Sequence, residues 1–393
     1  MKDLLNICIE EMPGISYDCG CSNRHSVDIK KIIVRDNILP LMAEELEPYR
    51  TGKLFVIADQ NTYRVFGEAV VKQLDKDGFI LKKHIFEGEH TLVPDERAIS
   101  RLLLELEEGV SFIIAVGSGS LNDLTRIISH RVKVPYAIIG TAPSMDGYAS
   151  TSSSLIIDGI KITCQGVYPT MIFADTSIMK NAPMEMIRAG YGDIIGKLTA
   201  KADWDLATVY DKEYYCDATS KLVQNGVSKC IESAAGLIKR DESAIRMLIE
   251  ALILTGVSMG LTKFSRPASG TEHLMSHYWE MDAVAAGREH QLHGNAVGAG
   301  TVICAMLYEM TEEQLPGALP EGLKYPSSQY IISLLEKVGA CTNPRELGID
   351  RELFINSVLY AMRPKNKYTI LNLLHQNGKL PEFADLLARR FYD

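Results

Sequence analysis

The hydrophobic pattern of the first 180 residues alternates between a strand period and a helix period. Five short apolar runs, rich in branched or aromatic residues and followed by turn or capping residues, predict buried strands. These runs are residues 31–34, 54–59, 112–116, 136–141 and 171–175. Amphipathic stretches such as residues 65–76 and 96–108 lie between them and predict helices. This alternation favours a mostly parallel sheet with helices on both faces, in a Rossmann-related α/β arrangement.

The pattern changes near residue 181. Long helical patterns occupy residues 184–206, 218–239, 242–259 and 287–310, and almost nothing after the change resembles a strand. Pro183 stands where a proline can open a new helix. We therefore predict two domains, an α/β domain over residues 1–180 and an all-α domain over residues 181–393.

Composition narrows the class of protein. The 393 residues are enough for two hydrophobic cores, and 46% apolar with 23% charged residues is typical of a globular chain. The net charge of −9, without a basic cluster, argues against a nucleic-acid partner. Acidic residues interrupt the N-terminal segment before an apolar run forms, so we expect no secretory signal. Residues 245–261 are the longest mostly apolar stretch, and we interpret them as a buried helix because they include Arg246 and Glu250.

The eight cysteines are scattered, without the density of a disulfide scaffold, which favours reduced thiols in a cytoplasmic protein. One local cluster consists of Cys19, Cys21 and His25. It offers three ligands, whereas a structural zinc normally takes four. The sequence therefore favours an ordinary turn with two free thiols over a zinc site.

A glycine-containing turn at residues 117–123 directly follows a predicted strand and opens a predicted helix. Backbone N–H groups of such a turn can close on a pyrophosphate, and the positive end of the helix favours its charge. The turn, which includes Gly119, Ser120, Leu121, Asn122 and Asp123, is therefore a candidate nucleotide site. Ser120 and Asp123 also have capping-box spacing, so a purely structural role for Asp123 is an equal alternative.

Asp59 ends an earlier predicted strand. A carboxylate there can accept hydrogen bonds from an adenosine ribose and repels a 2′-phosphate, which favours NAD over NADP. Helix capping is an equally good explanation of Asp59. The usual dinucleotide fingerprint places its acidic residue about 20 positions after the glycines, so the order here is inverted.

A second loop at a predicted strand end, residues 141–150, is crowded with small and hydroxylated residues and carries Asp146. Ligands bind at the carboxyl ends of parallel strands in open α/β sheets. The loop is therefore a candidate binding segment, with a plain solvated loop as the alternative.

Four of the nine histidines fall within 21 residues: His273, His277, His290 and His293. His273 and His277 are four apart, which places both imidazoles on one face of a helix. A helical hairpin could bring His293 to them. Satisfied core or surface histidines are the alternative explanation. Glu272 precedes the first histidine, so this is not the zinc-protease pattern.

Asp193 is the best candidate for a third ligand, because it is an acid among glycines and apolar residues at the start of the helical half. A buried carboxylate needs a partner such as a metal ion. Two imidazoles and one carboxylate leave open positions on the ion, as in a catalytic site. Zinc, nickel and iron all suit this ligand set.

Taken together, these motifs resemble the iron-containing alcohol dehydrogenase and dehydroquinate synthase superfamily, from about Cys19 to Tyr368. Within it, the phrases Gly-Thr-Ala-Pro-Ser-Met-Asp-Gly-Tyr-Ala-Ser and Arg-Pro-Ala-Ser-Gly-Thr-Glu-His are similar to the sn-glycerol-1-phosphate dehydrogenases, particularly the bacterial branch. Ser118 is a departure, since most of the superfamily has glycine there.

The resemblance implies an NAD(P)-binding α/β domain, a helical metal- and substrate-binding domain, and an active site in the cleft between them. It implies that Asp193, His273 and His293 hold zinc or nickel, and that Asp146 and His277 contact the substrate. The cofactor would contact the glycine turn, Ser150, and the stretch Thr141, Ala142, Pro143 and Ser144.

The reaction implied is reversible reduction of dihydroxyacetone phosphate to sn-glycerol 1-phosphate, with the metal acting as a Lewis acid on the C2 oxygen. The enzyme would be a cytoplasmic homodimer or larger oligomer that serves phospholipid biosynthesis. The basic groups that could meet the substrate phosphate are Lys161, Arg188, Lys197 and Arg288, and for each of them a solvated charge is the favoured alternative. The alternatives are a polyol dehydrogenase or a lyase of the same superfamily, and a non-catalytic nucleotide-binding regulator.

Overall fold

The structure is a computed structural model, and it describes residues 7–21, 23–88, 92–117, 119–363 and 367–393. Ser118, the departure noted above, lies outside these residues. The strands are β1 (Ser16–Asp18), β2 (Arg24–Ser26), β3 (Lys31–Arg35), β4 (Lys53–Asp59), β5 (Ile80–Phe86), β6 (Val110–Gly117), β7 (Tyr136–Gly140), β8 (Ser152–Ile157), β9 (Ile160–Gln165) and β10 (Met171–Asp175).

The helices divide between the two halves of the chain. The first half contains α1 (Leu39–Leu46), α2 (Gln60–Thr62), α3 (Glu68–Lys76), α4 (Glu96–Glu105), α5 (Gly119–Val132) and α6 (Thr176–Met179), and a π-helical turn, Tyr63–Gly67, joins α2 to α3. The second half contains α7 (Met184–Tyr210), α8 (Asp217–Ile238), α9 (Glu242–Thr262), α10 (Thr271–Ala285), α11 (His293–Gln314), α12 (Ser328–Glu336), α13 (Arg351–Tyr360), α14 (Ile370–Gln376) and α15 (Leu380–Tyr392).

Six strands form one parallel sheet in the order β3-β10-β7-β6-β4-β5. Its central strands are buried on both faces, which explains their continuous apolar runs. From β4 the chain moves outward to β5, whereas from β6 it moves the other way to β7, so the strand order reverses between β4 and β6. Accordingly, α3 packs on one face of the sheet through Val70 and Leu74, and α5 packs on the other through Leu124 and Ile128. A crevice opens where helices diverge in this way.

The predicted fold class is confirmed: a parallel sheet flanked by helices, followed by a mostly helical half. All five predicted sheet strands are present, but the sixth, β5, was not predicted. It is an edge strand, and Lys82, Lys83 and His84 interrupt its apolar residues. Its residues are exposed or partly buried, so it lacks the continuous apolar run by which the other strands were predicted. The two small hairpins β1–β2 and β8–β9 were also missed, because polar and exposed residues in β1, β2 and β9 interrupt any apolar run.

The helical half packs around one large core that includes α7, α8, α9 and α11. Among the described residues, α9 is the one helix with the length and hydropathy of a membrane span, and 67% of that window is buried inside the protein. It is thus the buried helix that its sequence predicted. The prediction of a helix over residues 287–310 was wrong at its start. Gly287 has a φ of +64°, and the chain becomes helical again only at His293.

Candidate active site

A large cleft lies at the carboxyl ends of β4 and β6, where the strand order reverses. It contains about 2210 Å³ of empty space, including its open mouth. Five of the predicted cofactor residues line it: Asp59, Ser120, Leu121, Thr141 and Ala142. The opposite wall includes Pro183 and Met186, so the cleft lies between the sheet and the first turn of α7. Its position and size suit a dinucleotide.

Asn122 and Asp123, later in the glycine turn, make hydrogen bonds within the protein. Asn122 is 1% exposed, and its side-chain amide donates to the carbonyl oxygens of Gly147 and Tyr148. The Asp123 carboxylate accepts hydrogen bonds from Arg126 and from the backbone N–H of Ser154. Asn122 therefore fixes the loop that follows β7, and Asp123 fixes Arg126 and the strand β8. These contacts give Asp123 a structural role other than the capping box that its spacing suggested.

Asp59 combines a structural position with exposure to the cleft. Its carboxylate accepts from the N–H groups of Asn61 and Thr62, both at 2.8 Å, and so caps α2. It also lines the cleft directly beside the end of β4. The two roles inferred for Asp59 from the sequence are therefore compatible in one side chain.

The second half of the site forms where α7, α10 and α11 meet. Asp193 lies in the middle of α7, His273 lies in the first turn of α10, and His293 is the first residue of α11. One ligand atom from each lies within 4.8 Å of the other two. The predicted helical hairpin of α10 and α11 brings the two imidazole rings to 5.2 Å between centroids. The structure thus brings together the three residues proposed as metal ligands.

Glycines allow this convergence, because they let α7 and α11 approach backbone to backbone. A Cβ atom at Gly294 would lie 1.8 Å from the carbonyl oxygen of Ala189, and one at Gly192 would lie 2.5 Å from that of Gly294. Such contacts are too short for any side chain. The close crossing of α7 and α11 is what places Asp193 opposite His293.

Each histidine is oriented by its Nδ1 atom. Nδ1 of His273 lies 2.8 Å from the Glu272 carboxylate, an acceptor, so it carries the hydrogen and Nε2 faces Asp193 at 3.5 Å. Nδ1 of His293 lies 3.4 Å from the Ser276 hydroxyl. Ligand histidines commonly have a hydrogen-bond partner of this kind on the nitrogen that points away from the metal.

Burial lowers the pKa of His293 to about 3, against the opposing effect of Asp193. Its imidazole is therefore neutral at physiological pH, as a metal ligand must be.

A buried lysine completes the cluster. Lys197, one turn after Asp193, has its Nζ 2.6 Å from Asp193 Oδ1 and 2.7 Å from Asp146 Oδ2, and all three groups are buried. Burial opposes the ionised form of Asp193, but the Lys197 charge and the hydrogen bond with His273 outweigh it and lower the pKa of Asp193. Burial, together with the charge of Asp193, raises the pKa of Asp146.

The loop after β7 connects the cleft to this cluster. Its first residues, Thr141 and Ala142, line the cleft, and four positions later the N–H of Asp146 donates to Asp193 Oδ2 at 2.9 Å. A cofactor in the cleft and a ligand at the histidines would therefore meet across this loop.

Comparison with known proteins identifies the family. The chain is 32% identical over 399 residues to glycerol-1-phosphate dehydrogenase [NAD(P)+] of Geobacillus stearothermophilus, covering 95% of this chain and 99% of that protein. It is 34% identical over 343 residues to the enzyme of the same name from Thermococcus kodakarensis, covering 86% and 89% of the two chains. A model of the family described as iron-containing alcohol dehydrogenase matches residues 33–183.

The chain belongs to the glycerol-1-phosphate dehydrogenase family. The sequence-based prediction of this family, and of an oxidoreductase, is confirmed. Glycerol dehydrogenase from Schizosaccharomyces pombe has the same fold, with a TM-score of 0.69, 17% identity and coverage of 91% of this chain and 90% of that chain. NADH-dependent butanol dehydrogenase A from Thermotoga maritima matches with a TM-score of 0.66 and 16% identity, over 91% and 96% of the two chains.

In this glycerol-1-phosphate dehydrogenase family member, the other predicted site residues take different positions. The His277 ring stacks on His293 at 5.6 Å between centroids, beside the cluster. Pro143 and Ser144 are buried in the loop after β7 and do not line the cleft, and Ser150 closes the same loop by accepting from the N–H of Ser152. A Cβ atom at Gly119 would lie 3.8 Å from the Met145 side chain, so the backbone of Gly119 also lies beside that loop.

The four basic groups suggested for a phosphate all have protein partners. Lys197 lies between two carboxylates, and Lys161 pairs with Glu280. Arg188 donates to the carbonyl of Val338, and Arg288 pairs with Asp282 at the surface. The charge of Lys161 acts on His293, and that of Lys197 acts on Asp193.

Several residues of the cleft wall were not predicted. They come from the β5 edge, from α4 and from the segment before α7: Phe86, Glu87, Gly88, Asp95, Arg97, Arg101, Ile178, Asn181 and Ala182. None belongs to a glycine-rich or acidic motif. Their position at the cleft depends on the tertiary arrangement, for example on the strand order that places β5 beside β4.

Proposed function

We propose that this protein reduces dihydroxyacetone phosphate to sn-glycerol 1-phosphate, reversibly and with NAD(P)H, at a divalent metal held by Asp193, His273 and His293. The observation that supports this proposal is the convergence of buried Asp193 and His273 with partly buried His293, in a protein that also has a dinucleotide-sized cleft beside the loop after β7. The family membership supplies the substrate class, because the named relatives are glycerol-1-phosphate dehydrogenases.

The residues present fit a metal ion. Asp193 is fully buried and, against the effect of burial, its pKa is lowered chiefly by the Lys197 charge, while burial lowers the pKa of His293. The Nδ1 of His273 is engaged by Glu272, and one ligand atom from each of the three residues lies within 4.8 Å of the others. Three nitrogen and oxygen ligands suit zinc or nickel and leave coordination positions for a substrate. The bound ion would act as a Lewis acid that polarises the substrate carbonyl.

The chain itself would position the two reactants. The cleft would hold the cofactor, and its nicotinamide end would lie near the loop after β7, whose Asp146 N–H donates to Asp193. Asp146 lies beside Asp193 and His277 lies beside His293, and both would orient the hydroxyl groups of the substrate. When bound, the reduced cofactor would supply a hydride to C2, and a proton from solvent would complete the hydroxyl group on the C2 oxygen.

Asp59 supports a preference for NAD. Its carboxylate is already fixed as a helix cap at the cleft wall, so it would present a negative charge to the adenosine ribose without further ordering. A 2′-phosphate at that point would be repelled.

We further propose that the protein is a homodimer or larger oligomer in the cytoplasm. Size-exclusion chromatography with light scattering would test the oligomeric state, and fractionation of cells would test the localisation.

The decisive experiment compares two substrates. NADH oxidation should proceed with dihydroxyacetone phosphate and be at least about 100-fold less efficient with dihydroxyacetone, since the phosphate contributes binding energy to the transition state. The product should react with a glycerol-1-phosphate-specific assay and not with one for the 3-phosphate. Equal efficiency with both substrates would instead indicate a polyol dehydrogenase, and product formation without NADH consumption would indicate a lyase.

A further inference from the structure

A second cluster of metal-binding side chains shares no residue with the cleft or with the active-site cluster. Cys19 and Cys21 follow β1 in the β1–β2 hairpin, His25 is the central residue of β2, and Cys216 directly precedes α8. One ligand atom from each of these four residues lies within 4.8 Å of all the others. The first three residues were noted in the sequence as one ligand short of a zinc site. The fold supplies the fourth from 191 residues further along the chain.

We propose that Cys19, Cys21, His25 and Cys216 bind a structural zinc ion that is separate from the metal of the active site. Three sulfurs and one imidazole nitrogen form a common structural zinc ligand set, in which every coordination position is taken by the protein.

The distances fit a tetrahedron. His25 Nε2 lies 3.1 Å from the sulfurs of Cys19 and Cys21 and 3.5 Å from that of Cys216, while Cys19 and Cys216 are 3.5 Å apart. With zinc at about 2.3 Å from sulfur and 2.0 Å from nitrogen, the edges would be about 3.5–3.8 Å. The Cys19–Cys21 edge, 2.9 Å, is the shortest and would lengthen by less than about 1 Å.

The surroundings of the cluster are those of a metal site rather than of free thiols. Nδ1 of His25 lies 2.7 Å from the carbonyl oxygen of Leu261, so it donates its hydrogen there and the lone pair of Nε2 faces the sulfurs. His25 itself is completely buried. Thiols are weak donors and weak acceptors, so hydrogen bonding among them gives little reason for three to meet at one imidazole.

The neighbours also suit the charge of thiolates. Three thiolates and zinc carry a net charge of −1. The Tyr214 hydroxyl lies 3.0 Å from Cys21 Sγ, and the N–H and hydroxyl of Thr219 lie 3.5 Å and 3.2 Å from Cys216 Sγ. Cys216 also occupies the N-cap position of α8, where the positive end of the helix favours a negative sulfur.

The role of the ion would be to hold the N-terminal hairpin against the helical half. β1–β2 is a two-stranded sheet of three residues per strand, which is too small to be stable alone. Its ligands connect it to the start of α8, and the His25 hydrogen bond connects it to the end of α9. The site contains no group of the nucleotide cleft or of the active-site cluster, so we expect its loss to reduce stability without altering the chemistry.

Metal analysis of two proteins separates the two sites. We expect purified His293→Ala, which lacks an active-site ligand, to retain about one zinc per chain by plasma mass spectrometry. Adding Cys216→Ser to this background should remove that zinc. Serine is itself a good N-cap, so the start of α8 is preserved. Cys230→Ser is the matched control, because Cys230 is a fully buried cysteine of the same helix outside the cluster, and it should leave the zinc in place.

If the cysteine variants fail to fold, the absorption spectrum of cobalt-substituted His293→Ala still tests the proposal. Cobalt exchanged into the protein should give the strong near-ultraviolet thiolate-to-cobalt charge-transfer absorption that sulfur ligation produces. A zinc-free His293→Ala protein from zinc-supplemented cells would overturn the proposal, as would cobalt spectra without thiolate bands. Detection of a Cys19–Cys21 disulfide in the freshly purified, unreduced protein would overturn it as well. These results leave the substrate assay of the proposed function unaffected.

Discussion

Lys197 Nζ lies 2.6 Å from Asp193 Oδ1, one turn along α7, and both side chains are fully buried. The lysine bridges Asp193 to Asp146 and so compensates two buried carboxylates with one charge. Burial alone would lower the pKa of Lys197, but these carboxylates outweigh it and raise that pKa. Lys197 therefore stabilises the buried carboxylates of Asp193 and Asp146 when no metal ion is bound.

We predict that Lys197→Met destabilises the metal-free protein much more than the metal-loaded protein. Removing one partner of a buried ion pair costs about 3–5 kcal/mol, because the other charge stays buried without compensation. A divalent ion at Asp193 would restore part of that compensation. The measurement is the free energy of unfolding in denaturant, with chelator and with added zinc, for both proteins. Equal losses under the two conditions would contradict this role for Lys197.

A surface ion pair provides the control. Lys201 and Asp205 lie on the same helix with the same i,i+4 spacing, but both are partly exposed. Exposed pairs of this kind contribute about 0.3–0.5 kcal/mol. Lys201→Met should therefore change stability little, whether or not metal is present.

We predict that His293→Ala abolishes turnover but preserves the fold and NADH binding. The imidazole belongs to the three-residue cluster and does not line the nucleotide cleft. Its loss should lower kcat by at least about 10³-fold, because charge on the C2 oxygen develops only in the transition state. NADH fluorescence titration should give a Kd within about threefold of that of the unaltered protein. His375→Ala, a substitution of an exposed histidine on α14, is the control.

Near-normal turnover of His293→Ala in metal-free buffer would exclude the proposed metal centre. So would unchanged activity of the unaltered protein after exhaustive chelation, provided that its metal content has been shown to fall.

The sequence identified the candidate ligands of this site but not the helix packing that brings them together. Asp193, His273 and His293 are polar residues in apolar or glycine-rich surroundings, so each stands out locally. Their meeting depends on α7 and α11 crossing closely, which follows from glycines whose contacts lie more than 100 positions away in the chain. Cys216 shows the same limit. In the sequence it is an isolated cysteine. It joins the proposed zinc ligands only because the fold places the start of α8 beside the β1–β2 hairpin.

The strand order was equally hard to predict. The alternation of apolar runs indicated parallel strands, but it did not show that β5 lies beside β4 or that β10 lies between β3 and β7. Those neighbours bring Phe86 and Ile178 to the cleft. Asp59 was identified because its strand ends in an acid, which is a local signal.

We predict that Asp59→Asn shifts cofactor preference towards NADPH. Asparagine caps a helix about as well as aspartate, so α2 should keep its first turn while the cleft loses a negative charge. The ratio of kcat/KM for NADPH to that for NADH should rise about tenfold, the effect of roughly 1.4 kcal/mol of relieved repulsion. Asp350→Asn alters a helix cap outside the cleft and serves as the control. A ratio that stays constant would place the ribose elsewhere.

The last prediction concerns the crossing of α7 and α11. A Cβ atom at Gly294 would lie 1.8 Å from the Ala189 carbonyl, whereas one at Gly298, a turn further along α11, would meet nothing closer than 3.4 Å. Gly294→Ala must therefore push the helices apart, which costs about 1–3 kcal/mol and separates His293 from Asp193. We expect kcat to fall at least about 100-fold, together with metal affinity, since displacements near 1 Å have effects of that size. Gly298→Ala should fold as stably as the unaltered protein or more so, because alanine favours a helix by up to about 1 kcal/mol over glycine, and it should keep its activity. If both variants behave alike in kcat and in metal content, the close crossing of the helices is not what assembles the site.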